Sequence, residues 1–465
     1  MKNFSGRIQG TDLILFIGVL ILLHSCNVLT GTTGQENKDP PEVPEKIRDF
    51  YVYNFDIRSY YTLNAVQLIE NEGCVIYGDL AWQKRITKAE EQKIREAAEE
   101  YETTIYPKIS GVFGECTDID GNGKLIILLL DIIDGISPGS GSYMAGYFDS
   151  SDMGPGPYSN RGELLYMDIA EGVLGSEDFH AAIAHEFQHL LRYSAYMRTG
   201  AYTETWLDEG LSGAAEYVYL GKHLDDSVRY YNLDPENKIA RGNTFFYWQG
   251  SDPADYATAY LFFQWLRIQA AGPDDPQGFR LYREICASPN SQGVVNAAVK
   301  LIRPDLDSWD KLIRTWLTAN YMNSPRKNAA DGLGLYGYNN EFTLMIHPYP
   351  KTGAAALLPG EGVYSVLPEN GSFSLSGASG SHIGYGDIRK GQPPLFNPVS
   401  KNYSGEYLLT YNGNDNNSTG TGFLKESGQI TGVTPVLRPS PPRAVSGPSS
   451  PMRIDGTSLL PKQGR

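Results

Sequence analysis

The sequence HEFQH, residues His185 to His189, and the later sequence WLDEG, residues Trp206 to Gly210, decide how the rest of this chain is interpreted. The two histidines are four residues apart, a spacing that places both imidazoles on one face of a helix, one turn apart. Two neutral imidazoles in this arrangement can share a Zn²⁺ ion. The carboxylate of Glu186 would then lie beside the metal, as a general base for its water and not as a ligand.

An alternative interpretation is a solvated amphipathic helix that carries two unrelated histidines. The flanking residues argue against it, because Ala181–Ala184 precede the motif and Leu190 and Leu191 follow it. The polar cluster therefore lies within an apolar helix, where unpaired polar groups are costly. The sequence favours a metal site over a solvated helix.

A catalytic zinc needs a third protein ligand and one open coordination position. Several acidic side chains follow the histidines, and nineteen residues lie between His189 and Glu209. We choose Glu209 as the third ligand. The rival ligands are Glu204, Asp208 and Glu216.

HEFQH, a loop and then WLDEGLS resemble the gluzincin metallopeptidases, and most of all the hyicolysin-like family of bacterial secreted peptidases. The resemblance covers roughly residues 50–323. It implies an α+β fold with a zincin-type catalytic domain, in which a mixed sheet accompanies the active-site helices. In that family the Glu of a W-L-x-E-G pattern on a second helix is the third ligand, and Glu209 matches it.

The resemblance also implies supporting roles for other residues. A Tyr hydroxyl on a third helix would stabilise the oxyanion, and Tyr256 matches better than Tyr260, although both could equally be core aromatics. Asp208 or Glu216 would orient the zinc-bound imidazoles. The stretch RGELLYMDI, residues 161–169, would be an edge strand that binds the substrate backbone, or an ordinary sheet strand.

The composition is that of a large globular protein. The chain has 465 residues, of which 41% are hydrophobic and 20% charged, and this length predicts two or more domains. Its formal net charge of -15 argues against nucleic acid as a partner.

The amino-terminal sequence is typical of a bacterial lipoprotein. Basic residues precede the apolar run Leu13–Leu23, which is too short to span a bilayer comfortably and is followed by Cys26. We predict a signal peptide over residues 1–25, lipidation of Cys26 and a flexible tether over residues 26–47. An ordinary secretory signal with an incidental cysteine is the alternative. Either way the protein is predicted to lie outside the cytoplasm, and membrane contact is predicted only through the lipid.

The rest of the chain divides into three regions that differ in their sequence pattern. Residues 48–330 are predicted to form the catalytic domain, in which a capping box at Thr87 and Glu90 opens a helix that Pro107 ends after Tyr106. Alternating Gly-, Ser- and Tyr-rich stretches predict a small all-β domain over residues 335–430. The Pro- and Ser-rich tail, residues 436–465, is predicted to be disordered. Three cysteines besides Cys26 leave an odd count, and a Cys74–Cys116 disulfide is one option.

The stretch DIDGNGK, residues 118–124, resembles the first half of a calcium loop. Asp118, Asp120 and Asn122 would supply oxygen ligands to Ca²⁺. The match is incomplete, since Leu129 stands where an EF-hand has its bidentate Glu. An Asx-rich turn into a buried strand is the alternative interpretation.

Together these features predict a zinc-dependent endopeptidase that hydrolyses peptide bonds in extracellular or periplasmic proteins. A gluzincin aminopeptidase is the first alternative, but Glu163 lies in RGELLYMDI and not in the G-x-M-E-N pattern of those enzymes. A lipid-anchored surface adhesin with a structural zinc is the second. A complete HExxH motif argues against the adhesin, because a structural site needs no general base.

Overall fold

The computed structural model describes residues 46–136, 143–200, 204–244, 246–248, 252–288, 290–325, 333–350, 353–367, 373–374, 381–398, 402–414 and 426–430. The predicted signal peptide, Cys26, nearly all of the tether and the tail from residue 436 lie outside the described residues. Within the described part of the chain, no helix combines the length and hydropathy that a membrane span requires.

The amino-terminal two thirds of the described chain mixes strands and helices. The strands are β1 (Ile47–Asn54), β2 (Ser59–Glu70), β3 (Cys74–Asp79), β4 (Leu125–Leu130), β5 (Gly146–Phe148) and β6 (Leu164–Asp168). The helices are α1 (Leu80–Gln83), α2 (Lys88–Glu100), α3 (Tyr106–Phe113), α4 (Glu177–Thr199), α5 (Thr205–Leu220), α6 (Asp225–Leu233), α7 (Pro253–Ala270), α8 (Arg280–Cys286), α9 (Gln292–Leu301) and α10 (Trp309–Met322).

The six strands form one mixed sheet in the order β1-β2-β3-β4-β6-β5. β3, β4 and β6 are parallel, whereas β1, β2 and β5 are antiparallel to their neighbours. Of the two interpretations of residues 161–169, the ordinary sheet strand is the one observed, because β6 lies between β4 and β5. β5 is the edge strand of this sheet.

The sheet is buried on both faces at its centre. β4 has the sequence LIILLL, and all six side chains are buried. Ile127 and Leu129 contribute to the core shared with the helices, while Ile126 and Leu128 contribute to a second core on the opposite face. A continuous apolar run of this length is what a parallel strand covered on both faces requires.

The helix that begins at Thr87 continues past the predicted end. Thr87 and Glu90 form the predicted capping box. A π-helical segment, Tyr101–Ile105, then joins α2 directly to α3, and Pro107 lies in the first turn of α3. Pro107 directly follows a segment that has already left the α-helical hydrogen-bond register, so the chain stays helical through it and the predicted end after Tyr106 is wrong.

The carboxy-terminal region is built from β-strands. These are β7 (Gly353–Leu357), β8 (Gly362–Val366), β9 (Phe373–Ser374), β10 (Ile383–Ile388), β11 (Leu395–Phe396), β12 (Asn402–Tyr403), β13 (Tyr407–Asn412) and β14 (Glu426–Ile430). Four of them form a sheet in the order β11-β10-β13-β8. The predicted α+β class, a mixed sheet with helices followed by a β-region, is confirmed.

The β-region packs against the helical part. Tyr364 donates a hydrogen bond of 2.6 Å to the carbonyl of Leu317 in α10, and the side chains of Leu409 and Tyr411 belong to the main core. The boundaries at residues 330 and 335 stay a prediction.

No disulfide joins the three cysteines in the described chain. Cys74, Cys116 and Cys286 are free thiols. The option of a Cys74–Cys116 bridge is wrong for this structure. Burial raises the pKa of both the Cys74 and the Cys116 thiol to about 12, so neither is a ready nucleophile.

One glycine in α5 permits the close packing of α5 on α7. A Cβ atom at Gly210 would lie 2.2 Å from Cε2 of Phe263, whose ring is fully buried. At Gly213 the nearest atom would be Cδ2 of Tyr260, at an ordinary 3.6 Å. Gly210 is thus the position where only glycine fits.

We predict that Gly210→Ala lowers the free energy of unfolding by about 1–3 kcal/mol, because the added methyl group overpacks a core that cannot yield. Gly213→Ala is the matched control. It should leave stability unchanged or raise it by about 0.5–1 kcal/mol, as expected for Ala in a helix interior. Urea unfolding followed by circular dichroism measures both. Equal stability of the two variants would contradict this packing.

Candidate metal centre

α4 carries the HEFQH motif deep inside the protein. Ser176 caps the helix by accepting a hydrogen bond from the Phe179 N–H, and Gly200 ends it in the left-handed conformation. Every residue from Ala181 to Leu191 is buried. The motif is therefore surrounded by protein, as the apolar flanks predicted.

α5 packs against α4 and brings Glu209 to the two histidines. Oε2 of Glu209 lies 3.5 Å from Nε2 of His185 and 3.7 Å from Nε2 of His189. One ligand atom from each of the three residues falls within 4.8 Å of the others. The three predicted zinc ligands thus converge on one point, and each presents an atom that zinc accepts.

The other ring nitrogens are held by carboxylates of α5. Nδ1 of His185 lies 2.7 Å from Oε1 of Glu216, and Nδ1 of His189 lies 2.8 Å from Oδ2 of Asp208. With a metal bound at the shared point, the ionised carboxylates would only accept, so each Nδ1 would carry the hydrogen and each neutral ring would present the lone pair of Nε2 to the metal. Both carboxylates suggested by the sequence for this orienting role are in place, one for each histidine.

A divalent metal fits this site on two grounds. Nε2 of His185 and Oε2 of Glu209 are buried, and neither has a hydrogen-bond partner among the described residues. Burying such atoms unpaired is costly, whereas coordination would satisfy them. In addition, no Lys or Arg of the described chain forms an ion pair with Asp208, Glu209 or Glu216, so a cation would balance their charge.

Burial is the largest influence on the pKa of each of these groups. Burial raises the pKa of Glu209 to about 8 and raises that of Glu216 well above its usual range. Burial, together with neighbouring His189, lowers the pKa of His185 well below its usual value. Burial would also lower the pKa of His189, but Asp208 and Glu209 outweigh it and raise that pKa to about 10. In the absence of a metal a proton on His189 supplies part of the charge that a cation would bring.

The rival ligands lie elsewhere. Asp208 and Glu216 face the outer ring nitrogens, as described. Glu204 precedes α5, and its Oε1 lies 3.4 Å from the N–H of Ser291. Among the described acidic residues, Glu209 alone joins the two histidines in a group with metal-ligand spacing.

Glu186 is buried beside the three ligands and does not belong to their group. Its carboxylate raises the pKa of both Glu209 and Glu216 by charge repulsion, after the larger effect of burial. Glu186 therefore lies near the shared point without joining it, which is the position predicted for a general base.

The two tyrosines of α7 differ in their surroundings. Tyr256 is partly exposed, and its ring meets Trp248 edge to face at 5.0 Å. Tyr260 is buried, and its hydroxyl accepts a hydrogen bond of 3.0 Å from the Leu224 N–H. Tyr260 thus has a structural role, and the oxyanion role of Tyr256 stays a prediction.

The acidic loop after α3 forms a second group of carboxylates. Asp118 and Asp120 lie with Glu163, all three oxygens within 4.8 Å of one another. The Asp118 carboxylate also accepts from the backbone of Gly121 and Gly123, as in the predicted turn. The side-chain oxygen of Asn122 accepts from the Lys124 N–H, and its amide nitrogen donates to the Asp120 carboxylate, so the role of Asn122 as a calcium ligand stays a prediction.

Sequence reasoning did not assign Glu163 to this cluster. It is 3% exposed and precedes β6, far from the loop in sequence. Burial, together with the charges of Asp120 and Asp118, raises its pKa. An acidic residue at the start of a buried strand is the signal that could have found it.

Comparison with known proteins gives one curated relative and several distant structures. The neutral metalloprotease ShpI of Staphylococcus hyicus is 29% identical over 304 residues, which is 61% of this chain. This chain spans 65% of that relative, less than two thirds of its length. No family model matches the chain.

Among solved structures, a mutant M1 zinc metallopeptidase from Deinococcus radiodurans has a TM-score of 0.31 at 11% identity. The match covers 58% of this chain and 51% of that one. A two-domain M1 zinc metallopeptidase bound to L-tryptophan has a TM-score of 0.32 at 11% identity, with the same coverage. These scores are too low to assign a fold or a function.

The site geometry predicts that Asp208→Asn weakens zinc affinity about 10–100-fold while one zinc per chain still binds, because the Nδ1 partner of His189 loses its charge and its fixed orientation. Asp225→Asn, at an exposed position in the first turn of α6, is the control and should not change affinity. Competition with a chelator of known affinity measures both variants. Equal affinities would show that Asp208 does not support the metal ligand.

Proposed function

We propose that this chain is a zinc-dependent peptidase. One observation carries the proposal: His185, His189 and Glu209 converge in a buried site, and the outer nitrogens of both imidazoles are fixed by carboxylates. The relative of 29% identity is a neutral metalloprotease, which supports the same activity. Protein or peptide substrates follow from this activity.

In this proposal His185, His189 and Glu209 would hold Zn²⁺, which would supply a bound water with a pKa of about 7 and would polarise the substrate carbonyl. Glu216 and Asp208 keep the hydrogens on Nδ1, so that Nε2 of each ring stays available for binding. Glu186 accepts the proton of the attacking water at its carboxylate and delivers it to the nitrogen of the leaving amine. The burial of Glu186 keeps bulk water from competing for that proton.

The substrate backbone is proposed to lie along β5, because β6 lies inside the sheet. β5 pairs only with β6 among the described strands, but its three residues are buried, so a peptide could pair with its other edge only if the chain covering that edge moved. β5 lies beside α4, where the ring of Phe148 is 5.8 Å from that of Tyr193. A substrate strand on β5 would therefore run next to the helix that carries the zinc ligands.

Within this activity we favour an endopeptidase over an aminopeptidase. Glu163, which an aminopeptidase would need near the substrate amine, instead accepts a hydrogen bond of 2.5 Å from the Ile119 N–H in the acidic loop. A non-catalytic adhesin has no observation in its favour, because a structural zinc would not need Glu186 in the same buried site.

The protein is further proposed to act outside the cytoplasm, anchored by a lipid on Cys26. This is measured by the incorporation of labelled palmitate into the wild type and its absence from Cys26→Ala.

We also propose that the acidic loop binds Ca²⁺, with Glu163 joining Asp118 and Asp120 as ligands. Carboxylate oxygens from separate segments are ligands that Ca²⁺ accepts.

We predict that Glu186→Gln keeps one zinc per chain but lowers the rate of casein cleavage by about 10²–10⁴-fold, since an amide cannot accept the proton. Glu209→Gln should lose zinc affinity and cleavage together, because a charged ligand is replaced. Metal analysis and the cleavage rate are measured on the same preparations.

The two variants test different roles within one site. Wild-type cleavage by Glu186→Gln would contradict its role as the base. Full zinc occupancy and activity in Glu209→Gln would move the third ligand elsewhere.

An endopeptidase should cut an internal bond of an N-terminally acetylated peptide about as fast as that of its free-amine counterpart, because its site does not bind the terminal amine. Product masses from both peptides give the cleavage positions. Release of single amino-terminal residues from the free peptide alone would identify an aminopeptidase instead.

A further inference from the structure

The face of α4 opposite the zinc ligands borders a cavity. Its volume is 380 Å³, and it lies between the turn that joins β2 to β3, the start of β4, the π-helical segment and α4. Cavities that bind small ligands have volumes of about 300–1,000 Å³. Phe187 lines this cavity, and the helical period directs it away from the face that carries His185 and His189.

Aromatic rings form one part of the cavity lining. The ring of Tyr101 meets that of Phe187 edge to face at 5.5 Å and that of Tyr106 at 6.1 Å. Tyr101 and Phe187 are buried, whereas Tyr106 is 40% exposed. Tyr101 also begins the π-helical segment, a local geometry that is frequent at functional sites.

Carboxylates form the other part of the cavity lining. Glu72, Glu102, Asp118 and Glu163 line the cavity with a single basic side chain, Lys124. Lys124 is already paired with Glu70, at 2.8 Å. Within the described chain, none of the four carboxylates forms an ion pair with a Lys or Arg, so the cavity has an excess of negative charge.

We propose that this cavity binds a small organic cation, an ammonium, amidinium or guanidinium group carried on an apolar body. The carboxylates attract its charge, and the aromatic rings pack against its body and hold the cation over their faces. A metal ion alone does not account for the cavity, because 380 Å³ is far more than the ~10–15 Å³ that a cavity needs to hold one water. Nor does a metal ion use an aromatic wall.

This site overlaps the proposed calcium site at Asp118 and Glu163, but each of the two sites also has a carboxylate of its own. Glu102 lines the cavity but does not belong to the group formed by Asp118, Asp120 and Glu163. Asp120 belongs to that group but does not line the cavity. Glu102→Gln and Asp120→Asn therefore form a matched pair, in which each variant removes one charge from one site only.

The test is calorimetric titration of the whole zinc-loaded protein with benzamidine, and with benzamide as its uncharged counterpart. Benzamidine should bind and benzamide should not. Glu102→Gln should weaken benzamidine binding about tenfold or more, as expected for a lost charged contact. Asp120→Asn should change it by less than about twofold, since it does not line the cavity. Tyr106→Leu, which removes an aromatic wall but no charge, should also weaken binding.

Calcium binding by the same variants is measured as the converse test, because it should depend on Asp120 and not on Glu102. Ca²⁺ should raise the melting temperature of the wild type and of Glu102→Gln but not of Asp120→Asn. The proposal is overturned if benzamidine does not bind, if benzamide binds equally well, or if Glu102→Gln binds benzamidine like the wild type. It is also overturned if Asp120→Asn alone loses benzamidine, because the cation would then belong to the acidic loop.

Discussion

The burial of four carboxylates and two imidazoles between α4 and α5 is the constraint on which the structure of the site depends. Glu186, Asp208, Glu209 and Glu216 are all buried in the helical core. Ionised groups are costly there unless they are paired. Each outer imidazole nitrogen satisfies one carboxylate, which leaves Glu209 and the inner nitrogens directed at one another. A divalent cation at that point would satisfy all of them at once.

The packing of the surrounding helices maintains this arrangement. α5 supplies Asp208 and Glu209 from one turn and Glu216 from about two turns later, so its position relative to α4 sets every distance in the site. Gly210 allows α5 to pack closely on the ring of Phe263 in α7. A shift of α5 would therefore displace the third ligand and both orienting carboxylates together, which is why a glycine next to Glu209 matters for the chemistry.

The sequence predicted most of the site because its signals are local. The spacing of His185 and His189 specifies a helical face, and the apolar residues on both sides of the motif place that helix in the core. The pairing of each histidine with its own carboxylate was left open, because it depends on the rotation of α5 relative to α4. Glu163 was missed as a partner of Asp118 and Asp120, since only the sheet brings these segments together. The position of β6 at the edge or inside the sheet was left open for the same reason: strand order follows from tertiary pairing, and the three-residue strand β5 carries little signal of its own. The predicted helix end at Pro107 was wrong because the sequence does not show the π-helical segment that precedes this proline.

Anomalous diffraction at the zinc edge, from crystals of the zinc-loaded protein, tests the central claim most directly. If these three residues bind zinc, one anomalous peak should lie about 2.0–2.1 Å from Nε2 of both His185 and His189, and within about 2.0–2.2 Å of a carboxylate oxygen of Glu209. Glu186 should not coordinate that peak. A peak held instead by Asp118, Asp120 and Glu163, with none between the two histidines, would contradict the account.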